Sequence, residues 1–129
     1  MSSDQGNTSY NLSKLIDYVG DNPDTIREMI GIFIQSAREL CTQMIEACAN
    51  GDVGLVSKTA HKLKPSLDIF GIESLAQPIR QIEAAKDNSI ECQTLYPEIM
   101  RLHQQMAVVM QQLNRDYPWA ENPDLSTMA

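Results

Sequence analysis

Two histidines, His61 and His103, are the first residues to weigh, because a neutral imidazole can act as a nucleophile near neutral pH. Their surroundings differ. Around His61, Lys58, Lys62 and Lys64 place three of the chain's ten cationic residues within seven positions. At about 100° per residue, Leu55, Val56, Ala60, Leu63, Leu67 and Phe70 gather on one side of a helix, and His61 points away from them. Gly54, Ser57, Lys58, Lys64, Pro65 and Asp68 share the outer side, and none of these is bulky and apolar. Lys58 and Lys64 stand about one turn to either side of the ring. A phosphoryl group on an imidazole brings about two negative charges, and two ammonium groups at that spacing offset them. Flexible lysines suit a group that must later leave better than a rigid guanidinium fork does. The bland alternative is an ordinary solvated histidine on a charged face.

The other reactive side chains offer less. His103 has no lysine one turn away and is assigned no chemistry. Two histidines without a cysteine or carboxylate constellation make no metal site. Ser57, Ser66 and Cys41 lack a base and an orienting group, and no glycine-rich phosphate loop is present. The three cysteines, Cys41, Cys48 and Cys92, are odd in number and show no metal or redox spacing. Cys41 and Cys48 fall on an apolar helix face and read as buried free thiols, so an oxidising compartment is not implied.

The elements that must position His61 follow from periodicity, which is helical throughout. A short helix is expected from about Asn11 to Val19, ended by Gly20-Asp21-Asn22-Pro23. Asp21, Asn22 or Asp24 can cap a second, from about Asp24 to Ala49, with apolar residues at three- and four-residue steps from Ile26 to Cys48. Asn50-Gly51 ends it and Asp52 opens a third, which reaches Ile69 or Phe70 before Gly71. A fourth is expected from about Ile72 to Lys86, with a kink at Pro78, followed by a turn at Asp87-Asn88-Ser89. The last begins between Ile90 and Pro97 and runs to about Tyr117 along the seam Leu95, Ile99, Leu102, Met106, Val109 and Leu113. The fold class is therefore all-α: an antiparallel four-helix bundle with an additional short N-terminal helix. Residues 1–10 are expected to be flexible, 11–117 to form the bundle, and 118–129, with two prolines and no periodicity, to be loosely ordered.

Composition agrees. The 129 residues suffice for one core, and 43% hydrophobic with only 5% aromatic content means a core of Leu, Ile, Val, Met and Ala, which suits helices. A net charge of −7 argues against nucleic-acid binding. Nothing resembles a signal peptide or a membrane span, so a cytoplasmic location is the default.

The stretch Ala60-His61-Lys62-Leu63-Lys64-Pro65-Ser66, followed by Gly71 and Leu75, resembles the signature of histidine-containing phosphotransfer (HPt) domains. With the long helix before it, the Gly51-Asp52 turn and the helices after, the resemblance covers about residues 10 to 117. It implies that His61 is the phosphoacceptor, Lys64 the charge partner of the phosphoryl group, and Gly71 the residue that sharpens the next turn. Lys58 joins the phosphoryl-stabilising pair from the helical wheel alone, and Gly54, Ser57, Pro65 and Asp68 are the candidates for partner docking. The family most often has glycine where Pro65 stands, and a kink beside the acceptor is expected there. The implied role is a phosphocarrier rather than an enzyme, with no cofactor of its own. The partners are response-regulator receiver domains, which supply the magnesium ion and most of the catalysis, together with a hybrid histidine kinase where the relay has one. One exposed face suffices, so a monomer is expected, whether as a stand-alone carrier or as a piece of a larger hybrid kinase. The alternatives are a helical adaptor or dimerisation module without phosphoryl chemistry and, below it, a kinase dimerisation domain, which would need an attached ATP-binding domain.

Overall fold

The computed structural model describes residues 9–118, which are helical and contain no strand. Asn11 Oδ1 accepts from the Ser13 amide at 2.9 Å and opens the first helix, α1 (Ser13–Val19), which buries Leu15. Of the three possible caps for the next helix, Asn22 is the one used. Its side chain accepts from the Asp24 and Thr25 amides at 2.9 and 3.2 Å, and Pro23 fills the first position of α2 (Pro23–Ala49).

Two helices end in the same way. After α2, Gly51 takes φ +77° while the amides of Gly51 and Asp52 turn back to the carbonyls of Cys48 and Ala47, at 3.0 and 2.9 Å. Asp52 then accepts from the Leu55 amide at 3.0 Å and starts α3 (Val53–Ile69). At its far end Gly71 takes φ +62°, and the amides of Gly71 and Ile72 bond the carbonyls of Asp68 and Leu67 at 3.1 and 2.9 Å. Gly71 is constrained twice over, because a Cβ there would run into the backbone of Asn11, whose nitrogen would lie 2.8 Å away. The absent side chain lets the segment before α1 cross the end of α3, where the Asn11 amide bonds the Phe70 carbonyl at 3.0 Å.

The fourth helix differs from the expectation. A 3₁₀ turn, Glu73–Leu75, comes first, and α4 spans only Ala76–Glu83. Pro78 thus sits in the first turn, where amides have no intrahelical acceptor, so it starts a helix rather than kinking one. Tight turns carry the chain on to Ser89, which has φ +57°, and α5 runs over Cys92–Asp116. Ser9 and Tyr10, at the end of the stretch expected to be flexible, are tied to α5. The Ser9 amide donates to Gln112 at 3.2 Å and the Tyr10 hydroxyl donates to Asp116. The rest of the expected flexible start and all of the expected loose tail after Pro118 lie outside the described residues.

Side-chain contacts give the helix directions. Phe33 near the start of α2 stacks on Phe70 just past the end of α3, with ring centroids 4.3 Å apart. Cys48 at the end of α2 bonds Cys92 at the start of α5, and Ser57 early in α3 bonds Ile82 late in α4. Each of these pairs is antiparallel. α2 packs on α3 and α5, and α4 packs on the same two, so the four helices close a ring around one core. The seam of α5, Leu95 to Leu113, is buried at every expected position. Leu55 departs from its expected side and is 44% exposed, at the first turn of α3.

Pro65 lies inside α3 and removes the amide that would bond the His61 carbonyl, yet the helix continues to Ile69. An interior proline costs about 3 kcal/mol. Leu63 and Leu67 on either side are almost fully buried, and each contributes about 1.5–3 kcal/mol. Packing on both sides of the proline outweighs its cost.

Candidate functional site

The antiparallel pairing of α3 and α4 builds the site. Ser57 fixes the register: its hydroxyl donates to the Ile82 carbonyl at 3.3 Å and accepts from the Lys86 amide at 3.1 Å. One turn further along α3, His61 faces Glu83, the last residue of α4. The ring's Nδ1 donates to Glu83 Oε2 in a short contact, and Lys64 Nζ donates to Oε1 of the same carboxylate at 2.7 Å. The His61 side chain remains 69% exposed while that of Glu83 is 23% exposed. Glu83 therefore sits between the helices and holds two groups of α3 from below.

This geometry sets the chemistry of the ring. An ionised carboxylate can only accept, so Nδ1 carries the proton and, in the neutral ring, Nε2 carries the lone pair. The Lys64 hydrogen bond, and then that of His61, hold the Glu83 carboxyl below its ordinary value of 4.5. In its neutral form, an exposed imidazole with a carboxylate on Nδ1–H is a nucleophile that can bear positive charge once it has reacted.

The other candidate residues divide. Lys58 is exposed and has no partner among the described residues, whereas Lys64 is bound to Glu83. Pro65 is exposed, and Asp68 is exposed but ion-paired with Lys14 of α1 at 2.7 Å. Ser57 requires a correction. The helical wheel puts it on the outer face, but it is 8% exposed, because its short side chain fits between α3 and α4 and its hydroxyl finds backbone partners there. It can support the site but cannot meet a partner. Gly54 is half-buried, and a Cβ there would meet Lys86 Cδ at 3.7 Å, an ordinary contact. Beyond Lys64 and Pro65 a cavity of about 550 Å³ opens between α1, α3 and α4, floored by Leu67, Ile72 and Ile79.

Glu83 is the residue the sequence reading misses. A signal for it exists: His61 stands eleven positions before Ile72 and Glu83 eleven after it, so a hairpin folded at Gly71-Ile72 sets them opposite one another. His103 is different. It is half-buried on α5, beside Arg38 and Thr42 of α2, and its Nδ1 has no partner among the described residues. No group of three or more His, Cys, Asp or Glu side chains among the described residues could hold a metal ion.

A family profile for the Hpt domain matches residues 28–116, which include His61, Lys64 and Glu83. That is more than half of the chain, and the chain belongs to the HPt domain family. No curated protein and no solved structure matched. Membership carries histidine phosphotransfer within two-component phosphorelays, a phosphocarrier's role rather than that of a conventional enzyme, and interaction with response-regulator receiver domains. Among the described residues no helix is long and apolar enough to cross a membrane.

Proposed function

We propose that His61 is the phosphoacceptor and that the chain, a cytoplasmic monomer, takes a phosphoryl group from one receiver aspartate and passes it to another. The observation that carries this is the single carboxylate of Glu83 joining His61 Nδ1 and Lys64. With Nδ1–H held, the lone pair on Nε2 attacks the phosphorus of the aspartyl phosphate. An N–P bond forms, the bond from phosphorus to the aspartyl oxygen breaks, and the aspartate leaves as a carboxylate. The ring is left cationic, and Glu83, already against Nδ1–H, offsets that charge without rearrangement. In the onward step the next receiver's aspartate attacks the phosphorus and the electrons of the N–P bond return to Nε2.

Lys64 has two acceptors to choose between, Glu83 before transfer and the phosphoryl oxygens after it. Lys58, with no carboxylate to leave, is ready for the phosphoryl group or for the acidic pocket of an approaching receiver. The exposed Pro65 and the Lys14–Asp68 pair border the same face and are offered to the partner with it. Magnesium belongs to the receiver, and this chain needs no cofactor of its own.

The test is labelling. Incubation with ATP and magnesium alone should leave the protein unlabelled, whereas a phosphorylated receiver should label it, and a His61→Gln variant should stay unlabelled. Label that persists in the variant would remove His61 from the relay.

A further inference from the structure

Cys48 and Cys92 are 44 positions apart in sequence and adjacent in the fold. Cys48 is buried at the end of α2, and its Sγ donates to the Cys92 carbonyl at 3.2 Å. Cys92 is the first residue of α5 and is half-exposed. The hydrogen bond from Cys48 sets the two residues side by side, and burial, then the neighbouring Cys92 thiol, push the Cys48 thiol up to about 11. Cys41 is also buried, and burial alone pushes it to about 11.

We propose that Cys48 and Cys92 form a redox-active dithiol that a hydroperoxide converts to a disulfide enclosing the α3–α4 hairpin. The accessible partner reacts first. The Cys92 thiolate attacks one peroxide oxygen, an S–O bond forms, the O–O bond breaks, and the hydroxide released takes up the thiol's proton as water. Cys48 sulfur then attacks the sulfenic sulfur of Cys92, the S–S bond forms, and the S–O bond breaks. The second hydroxide leaves as water with the Cys48 proton. Two thiols are oxidised and one hydroperoxide is reduced. The closed ring spans residues 48–92, so it contains all of α3 and α4, with His61, Lys64 and Glu83 inside. Such a ring restricts the unfolded chain and raises the stability of the hairpin that holds the acceptor.

The experiment treats the full chain with hydrogen peroxide, alkylates the remaining thiols, and maps peptides by mass spectrometry without reduction. Two hydrogens should be lost, reactive thiols should fall from three to one, and the cross-linked pair should join Cys48 to Cys92. The melting temperature should rise by about 5 °C or more and return on reduction. Cys92→Ser should abolish the cross-link, and Cys48→Ala should trap a sulfenic acid at Cys92 that dimedone captures. Three thiols persisting in the wild-type chain, sulfinic acid at Cys92 in place of a cross-link, a pair that includes Cys41, or disulfides only between two chains would each overturn the proposal. None of these readouts depends on phosphotransfer, so the result stands apart from the assignment of His61.

Discussion

The α3–α4 face and the α2–α5 face each carry one histidine, and they treat it in opposite ways. On the first, the imidazole stands 69% exposed, its Nδ1 is held by a carboxylate, and lysines flank it. On the second, His103 is half-buried, its Nδ1 has no partner among the described residues, and no acidic side chain lines the groove with it. The residue type is the same, but of the two rings only that of His61 has a carboxylate on Nδ1 and lysines close by to offset a phosphoryl group. What separates the two rings is the helix behind each.

Substitutions can break that contrast in order of expected effect. His61→Gln should lower phosphoryl acceptance from a phosphorylated receiver by more than about a hundredfold, the loss of the nucleophile itself, while His103→Gln should stay within about twofold, both read as initial labelling rates. Glu83→Ala removes both the proton acceptor and the compensating charge, and should slow transfer by about tenfold, equivalent to one charge-assisted hydrogen bond. Glu83→Gln keeps an oxygen that can accept from Nδ1 and should lie between wild type and Glu83→Ala. Lys58→Ala should slow transfer by about two- to threefold at low salt, with the difference shrinking as salt screens the approach of the receiver.

Acid sharpens the same comparison through stability. Because folding lowers the Glu83 value, its contribution is complete above the ordinary 4.5 and is lost as pH falls through the lowered native value. Urea unfolding of the wild-type chain should therefore weaken between pH 5 and more acidic conditions by more than that of Glu83→Gln, in the window near and below pH 4.5.

Much of this is legible in the chain before folding. The outward setting of His61 follows from the apolar side of α3, and Gly51 and Gly71 announce turns that the positive φ values bear out. The seam of α5 is legible because its steps of four and three leave only one side to bury. What is hidden depends on register between helices. Ser57 looks like a surface residue on a wheel, and only the Ile82 carbonyl and Lys86 amide opposite explain its burial. Glu83 is an ordinary charged residue until the Gly71-Ile72 turn sets it eleven positions from the fold, facing His61. The expected kink at Pro78 fails for a related reason, since the 3₁₀ turn after Ile72 delays α4 until the proline falls in its first turn. Cys48 and Cys92 meet only because α2 ends where α5 begins.

The site of the N–P bond tests the central claim most directly. After phosphorylation by a receiver, ¹⁵N NMR of the imidazole should place phosphorus on Nε2 of His61, with the Nδ1 proton retained against Glu83. Phosphorus on Nδ1, or on any other side chain, would contradict the role assigned to that carboxylate and the relay built on it.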